Sequence, residues 1–431
     1  MNSPGVAFGD LAERWRRSPA IQMAGAMGIG HVLALLTMPL VTRLYGAESV
    51  GVFGLLMAFV NFASVGTALR YDIAIVGASD EREASRLAVG AAVVTLPVSL
   101  ALGAFLLLLI RCDWFGFGSL PMWSAALVVA LLVSTSLFVV LRFMLVRLGL
   151  FTTIARALLL QGVGRAFGPP AVSITSNGWD GLALAELLAR SLGIWGQWRR
   201  IRRGVGDRLT WPSARAIYST LCDRRRYPLV LLPSSLIDAL AVGLPLPVLL
   251  DCYGPSAAGV YAVAWRLAGV PAQLLSGAFA DIFHHAAQAY NAGASARAGL
   301  RSVVRSALGR NLLIGSALFL PAAAIAPWVF GPLFGQQFAQ GGIMFAILAP
   351  AALAAFAVGP LTRVLVVLDR PELKLRADAV ALAGAVIPVY AASAAGLGLT
   401  GAAWAICVGG VCGSVAYLAA VWRATSGDLC A

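Results

Sequence analysis

The segment LYGAESVGVFGL (44–55) returns in altered form as CYGPSAAGVYAV (252–263), which lies 208 positions further along the chain. A second segment, GWDGLALA (178–185), returns as GLTGAAWA (398–405) at an offset of 220. Two repeats in the same order indicate two related halves, although glycine-rich membrane turns can also converge in composition. Identities at the first offset are Leu36/Leu244, Pro39/Pro247, Tyr45/Tyr253, Gly46/Gly254, Gly51/Gly259 and Val52/Val260.

The composition places both halves in a membrane. Hydrophobic residues make up 60% of the 431-residue chain, charged residues make up 12%, and the mean hydropathy is +0.84, which lies outside the range of soluble domains. A helix needs about 20 apolar residues to cross the hydrocarbon core. Twelve such stretches are present, at 20–43, 50–69, 86–110, 120–143, 154–176, 180–198, 228–250, 257–278, 302–326, 341–367, 376–394 and 399–422. The sequence therefore predicts an all-α polytopic membrane protein with twelve transmembrane helices.

The basic residues predict the orientation of these spans. If the N-terminal arm, the even-numbered loops and the C-terminus share one side, and the few basic residues in the interior of the spans are counted with that side, 30 of the 32 basic residues are assigned to it and only Arg43 and Arg111 to the opposite side. By the positive-inside rule that side is cytoplasmic, so both termini are inside. The formal net charge of +13 then needs no nucleic-acid partner to explain it.

An even number of spans per half gives both halves the same topology. We therefore expect two pseudo-symmetric six-helix bundles, 1–198 and 228–431, around a central cavity, with a symmetry axis along the membrane normal. Between them, residues 199–227 form a basic cytoplasmic linker with nine arginines in 199–226. This linker is predicted to lie on anionic lipid headgroups, with docking of a specific partner as the alternative. Two bundles that can rock against each other are the minimum for alternating access, so transport is the leading class.

Ionisable residues in the middle of a span are candidates for the functional site, because the membrane tolerates them only beside a partner or water. Arg266 lies centrally in the eighth span, seven residues from Gln273 on the same helical face. It is predicted to line the cavity and contact a phosphate, with a structural salt bridge as the alternative. Arg165 follows Gln161 by about one turn and precedes a proline pair that should break or kink the helix. Arg165, Gln161 and Gln273 are predicted to bind the substrate.

Each of the other candidates for the functional site has two predicted roles. Glu186 and Arg190 stand at i and i+4, which predicts an intrahelical ion pair, and Arg190 is also a candidate for binding substrate. Asp238 and His31 lie at similar depth in the two halves and are predicted to couple transport to H⁺ or Na⁺, with Glu186 as a third ion-coupling candidate. Asp238 could instead be a buried partner of a cavity arginine.

Two further sites lie at the ends of spans. Arg43 closes the first span on the outer side, where it either receives the headgroup or snorkels to the interface. Arg70 and Asp72 precede the third span and are predicted to form a cytoplasmic gate; the acidic residues that follow would otherwise serve only to start a helix.

The residues also resemble a known family. TRLYGAESVGVFGL (42–55) and LRYDIAIVGASDEREASRLAVG (69–90) resemble the first spans and loops of Wzx-type oligosaccharide flippases, polysaccharide-biosynthesis proteins of the MOP superfamily. RYPLVLLPSSLIDAL (226–240) and YGPSAAGVYAVAWRLAGVPAQLLSGAFADIF (253–283) resemble their seventh and eighth spans. The resemblance implies translocation of an undecaprenyl-diphosphate-linked oligosaccharide across the bacterial cytoplasmic (inner) membrane, through a cationic cavity.

The resemblance further implies that the product serves lipopolysaccharide, O-antigen or exopolysaccharide synthesis, together with polysaccharide polymerase and chain-length machinery. Multidrug export and flipping of a lipid-linked peptidoglycan precursor remain alternatives. No enzyme is predicted and no cofactor or metal: the only lysine, Lys374, lies outside any Walker A pattern, and GxSxG and DxD are absent. Cys112 and Cys252 both fall on the outer side, where unpaired thiols are the expectation.

Overall fold

The computed structural model describes residues 19–205, 212–290, 295–362, 364–365, 368 and 370–426. Over these ranges the chain folds as α-helices joined by short turns, without a β-strand. In chain order the helices are α1 (Pro19–Leu36), α2 (Met38–Ser64), α3 (Tyr71–Ala74), α4 (Glu81–Cys112), α5 (Ser124–Arg147), α6 (Phe151–Val172), α7 (Trp179–Ser191), α8 (Ile194–Val205), α9 (Ala214–Asp223), α10 (Leu232–Gly243), α11 (Pro245–Tyr290), α12 (Ser295–Phe334), α13 (Ala339–Val358), α14 (Pro371–Ala394) and α15 (Leu399–Ser426).

Eight helical stretches in the described part of the chain are long and apolar enough to cross a membrane. One of them, Tyr227–Gly269, covers the predicted seventh span and part of the eighth. The first predicted span contains a shorter apolar helix, Gly25–Leu36, and the fifth and sixth lie on α6 and α7, which carry charged residues. The predicted all-α membrane architecture is confirmed.

The predicted sixth span, 180–198, is wrong as one continuous helix. Helix α7 ends at Ser191, the backbone turns at Leu192, and Gly193 adopts a φ of 85°, after which α8 starts in a new direction. A Cβ atom at Gly193 would lie 3.0 Å from the Cβ of Ala157, so the turn is pressed against α6. A left-handed, closely packed position of this kind favours glycine.

The two halves share an unusual backbone feature at equivalent positions. Gly46, within α2, has φ 76° and ψ 168°, and Gly254, within α11, has φ 83° and ψ 172°. The two residues are separated by the offset of the sequence repeat. Each marks the turn at which the first span of its half ends and the second begins.

Five residues after each kink, the halves touch through their backbones. A Cβ atom at Gly51 would lie 1.9 Å from the carbonyl oxygen of Pro255, and one at Gly259 would lie 1.9 Å from that of Ala47. Only glycine permits this approach. The repeat therefore encodes the crossing of α2 and α11, the main contact between the halves.

Within the N-terminal half, α1 packs on α6, α4 on α5, and α6 on α7. In the C-terminal half, α12 packs on α13, and α15 packs on both α13 and α14. The largest buried cluster joins α2 and α11 to α12, α13 and α15 through side chains such as Tyr261, Phe330 and Phe345. This arrangement leaves a space between the α1–α6 pair, α5 and α11.

On the side predicted to be outer, the halves are joined by polar contacts. The guanidinium of Arg43 donates to the carbonyl of Pro332, and the backbone N–H of Ala47 donates to Oε1 of Gln337 at 3.2 Å. These contacts link α2 to the end of α12 and the turn that follows it. The structure is therefore closed between the halves on that side.

Part of the predicted linker packs against the N-terminal half. Ile217 and Leu221 of α9 lie within about 3 Å of the position that a Cβ atom at Gly90 would occupy. Arg224 forms a 2.6 Å ion pair with Glu83 at the start of α4. The apolar residues of this segment thus contact protein; Trp211, in the same basic run, lies outside the described residues.

Candidate functional site

A cavity of about 330 Å³ lies where the central helices converge. It is bounded by α1, α5, α6, α7 and α11, so side chains from both halves line it. Its lining residues are Met27, Gly30, His31, Ala34, Thr135, Phe138, Val139, Arg142, Leu158, Gln161, Gly162, Arg165, Arg190 and Arg266. Close packing of Gly30 on Gly162 brings α1 and α6 together at its wall, since a Cβ atom at Gly162 would lie 2.5 Å from the Cα of Gly30.

Four arginines face this cavity, and they come from four different helices. Arg142, Arg165 and Arg190 come from α5, α6 and α7, and Arg266 comes from α11 in the other half. The Arg266 side chain is exposed, although it lies in the middle of a long apolar helix. A cation at that depth is tolerated only beside a partner or water, so its exposure to the cavity explains its position.

Glu186 balances two of the four arginines. Its Oε1 lies 3.0 Å from Nη2 of Arg165 and 2.7 Å from Nε of Arg190, which is the intrahelical pair that the i, i+4 spacing predicts. Four arginines and this one carboxylate give a formal charge of +3 (four minus one) in the described part of the site. The site is therefore suited to an anion.

Arg165 and Arg190 differ in how much freedom they keep. The side chain of Arg190 is 7% exposed, and it also donates to Thr135 and, at 3.4 Å, to Asn61. The side chain of Arg165 is 33% exposed and is held by Glu186. Arg190 is thus fixed in a buried network, whereas Arg165 can reach a molecule in the cavity.

The same network bears on ion coupling. Protonation of Glu186 would leave two arginines without their counter-charge, so the geometry favours its ion-pair role over the predicted coupling role.

His31 lines the cavity, with Nδ1 2.7 Å from the carbonyl of Met27. Asp238 lies in α10 and Gln273 in α11, but their side chains fall outside the described residues. Gln161 is buried at the cavity wall.

The expected break at the proline pair is not observed. Helix α6 continues through Pro169 and Pro170 and ends two residues later, at Val172. Because the pair occupies the last turn, few intrahelical bonds follow that the prolines could disrupt. The carbonyl of Pro169 accepts a 2.7 Å hydrogen bond from the Tyr45 hydroxyl, and so ties α6 to α2.

A second cavity of about 210 Å³ adjoins the first on the side predicted to be cytoplasmic. It is lined by the α2–α3 turn, α3 and α5, and includes Arg70, Asp72 and Arg142. Thr135, Val139 and Arg142 belong to both cavities, so one face of α5 forms the wall between them. The predicted gate residues Arg70 and Asp72 thus lie together at the mouth of the central site.

Burial raises the pKa of the Asp72 carboxyl, and the nearby Arg70 and Arg142 act against that shift. Asp72 is 6% exposed and faces two arginines. It is the one acidic side chain that lines this cavity among the described residues. The backbone before it is unusual: Leu69 and Arg70 have φ values of 48° and 63°. Left-handed conformations are rare in residues other than glycine and asparagine.

Sequence reasoning missed Arg142. The count of basic residues on each side of the membrane assigns Arg142 to a cytoplasmic loop, because it lies one residue from the end of the predicted fourth span. Helix α5 in fact continues to Arg147, which places Arg142 more than a turn inside it. The signal available was the spacing of Thr135, Val139 and Arg142, which puts them on one helical face.

The structure also shows the residues of two predictions made for the side predicted to be outer. Arg43 is exposed and bonded to Pro332, far from the central cavity, so it is not brought together with the other arginines. Cys112 and Cys252 are both free thiols.

No family model and no curated protein matches this sequence. Solved structures do match its fold over nearly the full length, and among them are MATE family transporters. At under 20% identity these matches show the fold alone, which is like that of the MATE transporters, with twelve transmembrane helices.

Three of these structures are informative. A MATE protein in complex with MaL6 matches with a TM-score of 0.60 and 18% identity, over 99% of both chains. An outward-facing multidrug resistance MATE transporter matches with a TM-score of 0.55 and 16% identity, over 100% of both. A MOP superfamily transporter from Pyrococcus furiosus, whose binding pocket is described as having reverse polarity, matches with a TM-score of 0.54 and 17% identity, over 99% of both.

Proposed function

We propose that this protein is an alternating-access flippase that moves an undecaprenyl-diphosphate-linked oligosaccharide across the bacterial cytoplasmic membrane. The product would supply the synthesis of a surface polysaccharide such as O-antigen or exopolysaccharide. The observation that carries the proposal is the cationic central cavity, to which both halves contribute arginines.

The charge of the cavity matches the difficult part of the substrate. A diphosphate bearing sugars combines negative charge with many hydroxyls, and carrying it bare through hydrocarbon costs far more than burying one polar group. Arg266, which is exposed, and Arg165, which is half-buried, would contact the diphosphate, while Gln161 and Gln273 would serve as hydrogen-bonding partners. The polyprenyl tail can stay in lipid if the halves separate laterally.

Movement would then require the α2–α11 crossing to act as the pivot between the halves. The polar contacts at Arg43 and Ala47 join the halves on the side predicted to be outer, which supports entry of the substrate from the side predicted to be cytoplasmic. Asp238 and His31 are the proposed sites at which H⁺ or Na⁺ binding drives the return. Membrane topology with both termini in the cytoplasm follows from the basic residues.

Export of small molecules is the second candidate, because structures described as multidrug resistance transporters share the fold. Cationic drugs favour an acidic cavity, whereas this one has a formal charge of +3 in its described residues, four arginines less one glutamate. A flippase for a lipid-linked peptidoglycan precursor would use the same diphosphate contacts and differs only in the sugars.

Substitution of Arg266 tests the proposal. In a bacterium that depends on this protein for its surface polysaccharide, Arg266→Ala and Arg266→Glu should cause lipid-linked intermediates to accumulate in the inner leaflet. Arg156→Ala is the matched control, since Arg156 is an exposed arginine of α6 that does not line the cavity. Normal surface polysaccharide in both Arg266 variants would refute the assignment.

A further inference from the structure

The smaller cavity has the features of a binding site in its own right. It holds about 210 Å³ between the α2–α3 turn and α5, and it is separate from the central cavity except for their shared wall. Two arginines and one carboxylate line it, so its formal charge is +1 (two minus one) among the described residues. Four hydroxyl-bearing residues also line it, Ser64, Thr67, Thr135 and Ser136, and the rest of its lining is apolar.

Arg70 is held in a strained and incompletely bonded state at this cavity. Its φ of 63° and that of Leu69, 48°, place two consecutive non-glycine residues in the left-handed region, which is unfavourable for residues that carry a Cβ atom. Its Nε is buried and has no hydrogen-bond partner. Buried polar groups are nearly always paired, and backbone strain concentrates at functional sites. Both observations are explained if a ligand completes the site.

Most of the hydroxyls already donate their protons to protein acceptors, so they are not available as donors to a bound anion. Thr67 donates to the carbonyl of Ser64 at 2.9 Å, and Ser136 shares a 2.7 Å hydrogen bond with Thr95. Thr135 donates to the carbonyl of Leu131 at 2.6 Å. The groups left to receive a ligand are the two guanidiniums, which are donors only. Their ligand must therefore be an acceptor, and planar guanidiniums suit phosphate oxygens best.

We propose that this cavity is a second anion site, which holds the diphosphate of the lipid-linked substrate on the cytoplasmic side before it reaches the central cavity. Arg70 and Arg142 bind the phosphate oxygens, and Asp72 limits the affinity so that the anion can leave. Because Arg142 lines both cavities, the diphosphate can pass inward without losing that contact. This inference rests on the proposed function, and it adds the route by which the substrate arrives.

Binding of inorganic pyrophosphate to the full-length, detergent-purified protein tests the site, with titration calorimetry as the readout. We expect wild type to bind at two sites and Arg266→Ala to retain the cytoplasmic one. Arg70→Ala should weaken that remaining site at least tenfold in the Arg266→Ala background, and Asp72→Asn should tighten it, since a repelling charge is removed. Arg82→Ala is the matched control, because Arg82 is an exposed arginine in the first turn of α4 that does not line the cavity.

Arg70→Lys separates binding from folding, because it keeps the charge and loses the planar fork. It should melt like wild type and still bind pyrophosphate more weakly. Unchanged affinity in Arg70→Lys and Arg70→Ala, each folded and paired with Arg266→Ala, would overturn the proposal.

A competition experiment identifies the source of the phosphate. Undecaprenyl diphosphate in nanodiscs should displace pyrophosphate from this site, whereas phosphatidylglycerol nanodiscs should not. Equal displacement by both would make the site a general lipid-headgroup site and would overturn its role in substrate capture. Failure of the proposed function looks different: pyrophosphate would bind at the cytoplasmic site, yet Arg266 variants would show normal polysaccharide.

Discussion

Glu186 shows how a single residue divides the tasks of its neighbours. One carboxylate holds two arginines, but Arg190 is buried and bonded to Thr135 and Asn61, whereas Arg165 keeps a third of its side chain exposed. Burying a charge is tolerable only with partners, and removing one partner of a buried pair costs about 3–5 kcal/mol. We therefore expect Arg190 to position the site, and Arg165, which is paired with Glu186 but keeps exposed surface, to bind the substrate.

Alanine substitutions should separate these two roles. We expect Arg190→Ala to lower the melting temperature of the purified protein by several degrees, because Glu186 and Thr135 lose a buried partner. Arg165→Ala should melt close to wild type, since the Glu186–Arg190 pair survives, but should slow transport about tenfold, the equivalent of one strong contact of about 1.4 kcal/mol. The measurements are thermal unfolding and transport, with Arg156→Ala as the unaffected control.

The opposite pattern would contradict this division of roles. If Arg165→Ala melted well below wild type while Arg190→Ala stayed stable, the exposed arginine would be the structural one.

Residue types could be read from the sequence, but their exact neighbours could not. The i, i+4 spacing of Glu186 and Arg190 identifies their pair because a helix fixes that geometry. The pair of Glu186 with Arg165 joins two helices, so no local pattern contains it. Arg142 escaped notice for a related reason, because its depth depends on where α5 ends.

At the scale of elements, the crossing of α2 and α11 is the most constrained feature. Backbone atoms of the two helices meet at Gly51 and Gly259, and the left-handed Gly46 and Gly254 set the direction of approach. A motif repeated at one offset thus produces two kinks and one symmetric contact. The repeat was readable because glycine leaves a visible signature where two backbones touch.

Gly259→Ala should force this crossing apart. The added methyl group would lie 1.9 Å from the carbonyl oxygen of Ala47, and overpacking of this kind typically costs about 1–3 kcal/mol. We expect a lower melting temperature and faster thiol labelling of a cysteine introduced at Ala47, because the outer contact weakens. Melting curves and maleimide labelling rates report the two effects.

Gly309→Ala is the matched control for this variant. Nothing lies within 4 Å of the position that its Cβ would take; like Gly259 it lies within a helix, but Gly309 is exposed whereas Gly259 is buried. It should be neutral or stabilising by roughly 0.5–1 kcal/mol. Equal effects of the two substitutions would mean that the crossing is not tightly packed.

At the scale of the whole molecule, the halves are closed on the side predicted to be outer and hold a cationic cavity between them. The contacts of Arg43 with Pro332 and of Ala47 with Gln337 are few and polar. Weak polar contacts can break and re-form during each cycle, as interfaces between moving domains require. Alternating access predicts that this side must open to release the substrate.

A crosslink across this contact should therefore stop transport. In a variant whose native cysteines are replaced by serine, cysteines at Ala47 and Gln337 should react with a short, cleavable thiol crosslinker. Transport is expected to fall to background and to recover when the linker is cleaved, whereas the single Gln337→Cys variant should be unaffected. Full transport by the crosslinked protein would show that the halves need not part there.

The whole-molecule architecture was the most predictable level. Hydropathy alone specifies an all-α membrane protein, since the bilayer restricts the possible structures severely. The two like-oriented halves, which rest on the basic loops and the internal repeat, stay a prediction. The break at Gly193 was not foreseen because an apolar run conceals a turn that depends on packing against Ala157. Contacts between helices decide which cavity each arginine faces. Such contacts leave no periodic pattern in the sequence.

The central claim is most directly tested in proteoliposomes that contain the purified protein and a fluorescent undecaprenyl-diphosphate-linked oligosaccharide. The measurement is the rate at which the labelled lipid becomes accessible to a membrane-impermeant quencher on the opposite leaflet. Wild type and Arg156→Ala should raise this rate well above that of protein-free vesicles, and Arg266→Glu should not. A wild-type rate equal to that of empty vesicles, or an undiminished rate in Arg266→Glu, would contradict the account.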